Sequence, residues 1–266
     1  MPETSTADRA TLSVAIIAKD EEANLRLTLP SVAFADEVVV VDSGSLDGTL
    51  DLARELGAKV FCEPWRGFSG QKNFAIDQCT RDWVLSIDAD EVVTAELREE
   101  ILQVLASAPA FEAFSVGRRN YFLGRWLRWG GQYPDRKLRL FRRGVARFEE
   151  RPVHETVGYG GAVGRLDGDL LHHAYPTLAV YLEHMDRYSS ASVPLLLAKG
   201  KASRGVVVFV WNVWVTPVAT FVYNYFLRLG FLDGREGLLF HLYHSVYVSW
   251  KYAKAWAAGK IDVSTG

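Results

Sequence analysis

The stretch that most constrains this chain is Trp83-Val84-Leu85-Ser86-Ile87-Asp88-Ala89-Asp90-Glu91. Its apolar run is too short for a helix and rich in strand formers. It reads as a buried strand that runs into two carboxylates, with a third just beyond. Carboxylates at i and i+2 on an extended backbone point to the same side. Asp88 and Asp90 are therefore placed to hold a divalent cation, and through it a diphosphate. Oxygen ligands suit Mg²⁺ or Mn²⁺, which keep waters and accept phosphate oxygens.

The preceding chain alternates strands with helices. Leu12 to Ala18 is a short apolar strand, followed by Lys19-Asp20-Glu21-Glu22; Asp20 is the expected N-cap of a helix that runs to Leu29, before Pro30. A second strand, Glu37 to Val41, ends in Asp42-Ser43-Gly44-Ser45-Leu46-Asp47-Gly48-Thr49. The helix after it stops at Gly57, and Lys59 to Cys62 is a third strand. Gly67 to Gly70 reads as a flexible loop, and a helix from Gln71 to Gln78 leads into the opening strand. After Glu91, Thr94 caps a helix to Leu105, and strands follow at Phe111–Val116 and Arg136–Phe141. Such alternation predicts an α/β fold with a mostly parallel sheet flanked by helices, whose ligands bind at the carboxyl ends of the strands. The ends at Lys19–Glu21, Asp42–Asp47 and Asp88–Glu91 would then meet. No phosphate-loop or GxGxxG fingerprint is present, so an ordinary P-loop or dinucleotide site is not expected.

Composition enters where it limits partners. A net charge of −2 predicts no polyanion partner, and so no nucleic acid. Between Arg118 and Arg151, however, eleven basic residues face only Asp135, Glu149 and Glu150, a cationic segment suited to an anionic ligand. Cys62 and Cys79 form no framework and read as buried reduced thiols. The polar N-terminus lacks an apolar signal core, so the expected compartment is the cytoplasm.

Residues 1–10 read as a disordered lead-in, 11–174 as the catalytic domain and 175–266 as a helical appendage. Leu178 to Lys199 is an amphipathic helix. Val206 to Leu227 carries no formal charge, between Arg204 and Arg228. As a helix this run would measure about 33 Å, enough to cross a bilayer. Its Asn212, Pro217, Asn224 and dense aromatics favour lying at the membrane surface instead. A last helix runs from Glu236 to Trp256.

Further polar groups lie in Pro152-Val153-His154-Glu155-Thr156 and in Leu171-His172-His173. Glu155, next to a histidine, is a candidate general base. His172 could reach the metal or be structural.

Leu12–Glu22, Val40–Thr49, Gln71-Lys72-Asn73 and Asp88-Ala89-Asp90, in that order, resemble family 2 of the glycosyltransferases. The chain is similar more narrowly to the bacterial lipopolysaccharide core β-glucosyltransferase group, which also carries the Val-His-Glu and Leu-x-His elements. The resemblance covers roughly residues 12–260. It implies a GT-A, Rossmann-like fold with a C-terminal amphipathic membrane-associating appendage. It also implies a metal-dependent, inverting transfer from a nucleotide sugar, a UDP-hexose such as UDP-glucose. By position it places Ala18, Lys19 and Glu21 around the nucleoside, Asp42 on the base, and Lys72 near the nucleotide. Asp88 and Ala89 fall at the ribose, with Asp88 also near the metal. Asp90 falls on the metal under the diphosphate, His172 beside the metal or diphosphate, and Glu155 where the family tends to place its base. Two departures stand out. The family's Pro-Thr-Tyr-Asn stretch is Ile17-Ala18-Lys19-Asp20 here, and its usual Arg is Lys72.

The acceptor so implied is an anionic, lipid-linked glycan on the inner face of the cytoplasmic membrane, either the lipopolysaccharide inner core or a polyprenyl-linked sugar. The rival readings are a metal-dependent nucleotidyltransferase or phosphohydrolase, and a non-enzymatic nucleotide-sugar-binding adaptor.

Overall fold

The computed structural model describes residues 9–149, 156–200 and 205–264. These fall into two compact units: residues 9–119, 135–149 and 156–173 in one, and 120–134, 174–200 and 205–264 in the other. Of the expected lead-in, residues 1–8 lie outside the described residues. Arg9 and Ala10 are already tied into the fold: Arg9 pairs with Asp36 at 3.0 Å, and the Ala10 amide donates to Leu105 O at 2.9 Å.

The strands are β1 (Leu12–Ala18), β2 (Glu37–Asp42), β3 (Lys59–Cys62), β4 (Trp83–Asp88), β5 (Glu91–Val93), β6 (Ala113–Phe122), β7 (Arg125–Trp126), β8 (Lys137–Arg142), and, after the short pair β9 (Arg147–Phe148) and β10 (Val157–Gly158), β11 (Gly164–Tyr175), all in the first unit except β7 and the last residues of β6 and β11. The order is β3-β2-β1-β4-β8-β6-β11-β5, with β7 paired to β6, while β9 and β10 form a separate ladder. Pairing is parallel from β3 through β4 and antiparallel from β4 to β8 and from β8 to β6. The parallel half follows from the crossover helices α1 (Glu22–Ser31), α2 (Thr49–Glu55) and α3 (Gly67–Asp77); α4 (Ala95–Ala106) follows β5. Both faces are covered. Leu12, Val14, Ile16, Leu85 and Ile87 pack with α1 and α4 residues on one face, and Ala15, Val39, Val41 and Val84 pack with Ala75 and Ile76 of α3 on the other.

Local signals explain the helix boundaries. Thr94 accepts the Leu97 amide at 3.2 Å, so α4 starts where a capping threonine predicts. Asp20 does not cap α1. It adopts a left-handed backbone, φ 56°, which aspartate tolerates better than most residues, and its carboxylate takes the Leu46 amide at 2.7 Å. The helix therefore begins at Glu22, and Pro30 is held inside its last turn. Gly67–Gly70 is the first turn of α3 rather than a loop. The Gln71 carboxamide accepts from Arg66 N at 3.3 Å and donates to Glu63 O at 3.1 Å, which fixes the helix entry. Of the two cysteines only Cys79 is buried, its thiol pushed up to about 12 by that burial; Cys62 is exposed, on the edge strand β3.

The second unit gathers α5 (Leu178–Ala191), α6 (Val193–Ala198), the Val206–Leu227 helix and the Gly234–Ser264 helix. The single helix expected over Leu178–Lys199 is broken at Ser192, because Pro194 cannot donate back into a continuous helix and sits instead in the first turn of the next one. Phe122, Leu127, Tyr181 and Phe240 form this unit's core, with the Phe122 ring edge-on to Tyr181 at 5.1 Å and to Phe240 at 5.5 Å. Val206–Leu227 alternates α and π turns and leaves most of its apolar side chains exposed, Val206, Val207, Trp211, Trp214 and Leu227 among them.

Candidate active site

Three parallel strands end level with one another. Ala18 of β1 is in register with Asp42 of β2, and Ile17 with Asp88 of β4. The loops after β1 and β2 are sewn together by exchanged hydrogen bonds. The Asp20 amide donates to Ser45 Oγ at 2.8 Å, and the Glu21 amide to Thr49 Oγ1 at 2.8 Å. The Gly48 amide donates to Glu22 at 3.1 Å, and the Glu22 amide to Asp47 at 3.2 Å. Much of the acidic Asp42–Thr49 motif is thus spent on holding two loops in one shape.

Asp42 is almost fully buried, and its carboxylate accepts the Gly44 amide at 2.8 Å, the Ser45 amide at 3.0 Å and the Ser45 hydroxyl. Those bonds replace the water lost by a carboxylate at the end of four valines. Ala18 is buried and its carbonyl accepts the Ser43 amide at 3.1 Å, whereas Lys19 is exposed. Glu21 is half-buried, bonded by Asn24 at 2.6 Å. Burial, reinforced by the charges of Asp90, Asp47 and Asp88, pushes its carboxyl up to about 6 despite that bond.

The strand ends at Asp88, and Ala89 and Asp90 make the turn into β5. Ala89 is buried, its carbonyl accepting from Thr28 Oγ1 at 2.7 Å. The Asp90 carbonyl accepts the His173 amide at 3.0 Å, which brings β11 alongside. Asp90 Oδ2 then lies 3.4 Å from His172 Nε2. Among the described residues no three His, Cys, Asp or Glu side chains cluster as a protein-only metal cage.

Asp88 is the head of a chain of charges that reaches well into the sheet. Lys72 Nζ sits 2.7 Å from one oxygen and Arg139 Nη2 2.8 Å from the other. The same Arg139 nitrogen lies 2.6 Å from Glu91 Oε1, while Glu91 Oε2 accepts the Asp88 amide at 2.9 Å. Arg118 adds a bond to Glu91 at 3.1 Å and grips Asp135 at 2.5 Å. Burial works against the charge on Asp88, but Lys72 and Arg139 hold it well below the usual carboxylate range. Lys72 comes from the Gln71-Lys72-Asn73 motif, whose outer members fasten α3. Gln71 ties it to Glu63, and Asn73 exchanges two 2.9 Å bonds with the Phe148 backbone.

Arg139 and Arg118 belong to no motif in the sequence, and Glu91 reads there only as the third acid after the strand. The available signal was an arginine flanked by Leu138, Leu140 and Phe141, where a charge must be paired. The cationic segment is correspondingly less free than its count suggests. Arg118 and Arg139 are paired as above, Arg119 with Asp169 at 2.8 Å and Arg147 with Asp77 at 2.7 Å, while Arg136 donates to Leu166 O at 3.1 Å. Glu155, with the rest of its Val-His-Glu element, lies outside the described residues.

Residues 13–165 match the profile of glycosyl transferase family 2. The chain belongs to that family. A lipopolysaccharide core biosynthesis glycosyltransferase of Rhizobium meliloti, LpsC, is 35% identical over 230 residues, covering 84% of this chain and 82% of that protein. An uncharacterized glycosyltransferase of Rickettsia typhi is 31% identical over 241 residues, 86% of this chain and 82% of its own length. Among solved structures, the mannosyltransferase PcManGT of Pyrobaculum calidifontis, in complex with GDP-Man and Mn²⁺, superposes with a TM-score of 0.53 at 16% identity, over 94% of this chain and 88% of that one. The expected GT-A fold is the one observed. This family 2 glycosyltransferase is a homologue of a lipopolysaccharide core enzyme, and Ala18, Asp42 and Asp88 stand at its three level strand ends.

Proposed function

We propose that this chain moves a hexose, glucose, from a UDP-sugar to an anionic, membrane-associated glycan of the lipopolysaccharide inner core, with inversion at the anomeric carbon. The observation that carries the reading is the level convergence of Ala18, Asp42 and Asp88 at three adjacent parallel strand ends, with Asp90 and His172 beside them. That is where an open α/β sheet binds nucleotides.

In this reading Asp42 and the Lys19–Glu21 loop form the nucleoside end, with Ala89 beside the ribose. Asp88, aimed by Lys72 and Arg139, faces the ribose and the metal. Asp90 and His172 fit a divalent cation. One or two protein ligands, with the remainder from water and phosphate oxygens, is how Mg²⁺ and Mn²⁺ are held at phosphate-transfer sites. When bound, such an ion neutralises charge on the departing diphosphate. Lys72 adds a nearby cation, and Glu155 takes the proton of the acceptor hydroxyl as it attacks from the opposite face.

The membrane part of the reading rests on the second unit. The Val206–Leu227 helix has 22 residues, and little of its most apolar 18-residue window is buried. It runs beside the last helix: the Phe209 and Trp256 rings are 4.8 Å apart, and Ser249 Oγ donates to Val213 O at 2.9 Å. In that neighbour the charge-free run from Gly237 to Trp250 has only 14 residues. As a helix this is about 21 Å, short of a ~30 Å hydrocarbon core. Lys254 in the next turn is fastened to Asp186 of α5 at 2.5 Å. A pair that packs together but cannot cross together favours lying in one leaflet, on the cytoplasmic side.

The test is incubation of the full chain with Mn²⁺, a panel of nucleotide sugars and extracted core lipid. Nucleoside diphosphate release and a β-linked product are expected. Release of monophosphate or pyrophosphate would replace transfer with nucleotidyl or phosphohydrolase chemistry, and donor binding without turnover would make the protein an adaptor.

A further inference from the structure

The segment over residues 120–134 belongs to the second unit and presents exposed Arg128 and Trp129 beside half-buried Trp126, on a backbone held by buried groups. Asp233 is buried, and its two carboxylate oxygens accept the amides of Arg128 at 3.1 Å and Trp129 at 2.9 Å. The Gly130 amide donates to Arg228 O at 2.9 Å. Gly130 and Gly131 adopt φ values of 65° and 81°. A Cβ on either would come within 2.1 Å of the buried His241 ring or the Arg228 guanidinium, so only glycine fits. Leu127 is driven into the unit's core beside Phe122 and Phe240.

What this fixed backbone displays is chemically specific. The Arg128 guanidinium lies 5.6 Å from the Trp126 ring and 5.8 Å from the Trp129 ring. Arg128 and Trp129 are both exposed, and Arg128 has no carboxylate partner among the described residues. Trp126 is braced edge-on by Tyr133 at 5.2 Å. An arginine fork offers paired donors to a phosphate or carboxylate. Indole faces are electron-rich, and the C–H face of a pyranose is apolar and faintly positive, so the two stack. The fixed backbone removes the backbone share of the ordering cost and leaves only the side-chain rotamers to be ordered on binding.

We propose that Trp126, Arg128 and Trp129 form a subsite for an anionic sugar residue of the acceptor, one bearing a phosphate or a carboxylate. This rests on the glycosyl-transfer reading, but it can be tested without turnover. Glucose 6-phosphate, glucuronate, glucose and inorganic phosphate are each titrated into the full chain. Binding is read by saturation-transfer NMR, alongside Arg128→Gln and Trp129→Ala. The expected result is saturable binding of an anionic sugar, weakened about 10- to 100-fold by Arg128→Gln, and little binding of glucose. Preference between the two anionic probes identifies the charged group. In transfer assays the same variants should raise the acceptor KM by a similar factor and leave the donor KM in place. No binding of either anionic sugar, binding of inorganic phosphate alone, or unchanged sugar binding with lost attachment to anionic vesicles would each overturn the subsite. Failure of the transfer reading would show separately, as absence of nucleoside diphosphate release from every donor by the unaltered protein.

Discussion

Arg139 Nη2 sits 2.8 Å from Asp88 Oδ2, so the first aspartate of the Asp-Ala-Asp motif is aimed by an arginine 51 residues downstream. The same nitrogen bridges to Glu91, which is wholly buried. Removing the arginine takes one of two cations from the buried Glu91 and one of two from the half-buried Asp88. Arg139→Met should destabilise the protein by about 3–5 kcal/mol. Arg139→Lys should retain more of the fold but lose donor affinity, because the lysine chain is one bond shorter and its ammonium cannot sit where Nη2 bridges both carboxylates. Urea unfolding and UDP titration measure the two effects, and wild-type behaviour of both variants would refute the arrangement.

Asp90 is tied less tightly, partly exposed, with His172 at 3.4 Å. Asp90→Asn should leave the melting temperature nearly unchanged while transfer falls by about 10²–10³-fold or more. Weakened Mn²⁺ binding, followed by electron paramagnetic resonance, should accompany the loss. Full activity in this variant would remove Asp90 from the metal.

Glu155→Gln should bind donor normally and lose about 10²–10⁴-fold in transfer rate. Calorimetric donor titration and product formation separate the two. If transfer survives, the base lies elsewhere.

Val207 and Trp214 are among the most exposed apolar side chains of the Val206–Leu227 helix. Val207→Asp with Trp214→Glu should reduce vesicle co-sedimentation by about 100-fold, since each apolar side chain contributes about 1.5 kcal/mol or more on burial. Unchanged sedimentation would place the membrane contact on another surface.

Glu37 joins β2 to β3 and to Thr80. Its carboxylate accepts from Lys59 at 2.6 Å, from the Thr80 amide at 2.7 Å and from the Ser13 hydroxyl. Burial opposes the charge, but these partners outweigh it and lower the carboxyl to about 2. A depressed folded value means the stabilisation is complete above the ordinary value of 4.5 and is lost as pH falls toward 2. Glu37→Gln should therefore cost about 1.5–3 kcal/mol at pH 7, with the gap to wild type closing below pH 4.5. A gap that stays constant from pH 7 to pH 3 would show that the charge is irrelevant.

The parallel half of the fold and the level strand ends were legible because both are local: apolar runs of strand length, each followed by acids and a capped helix. Thr94 shows the same, a cap read correctly from four neighbouring residues. Arg139 and Glu91 were not legible, since their contact spans 48 residues and exists only because β8 inserts antiparallel beside β4, Leu85 against Leu140. Counting charges along 118–151 misled in the same way, because Asp169 and Asp77, which neutralise part of that segment, lie outside it. Asp20 failed as a cap because a loop 26 residues away competed for its carboxylate. Local chemistry marks where a site begins, and long-range pairing decides which of its charges remain available.

β1 is paired on both sides, with β2 and with β4, across six residues each. A slip of one residue in either ladder would turn every side chain of the slipped strand to the opposite face and carry its acid out of line with the others. Alignment of the candidate site and folding are thus one specification, and a sequence that folds has already set the spacing of Ala18, Asp42 and Asp88. Divergence toward a new sugar or a new acceptor is left to the segments beyond the strands, which can change length and composition without touching that alignment.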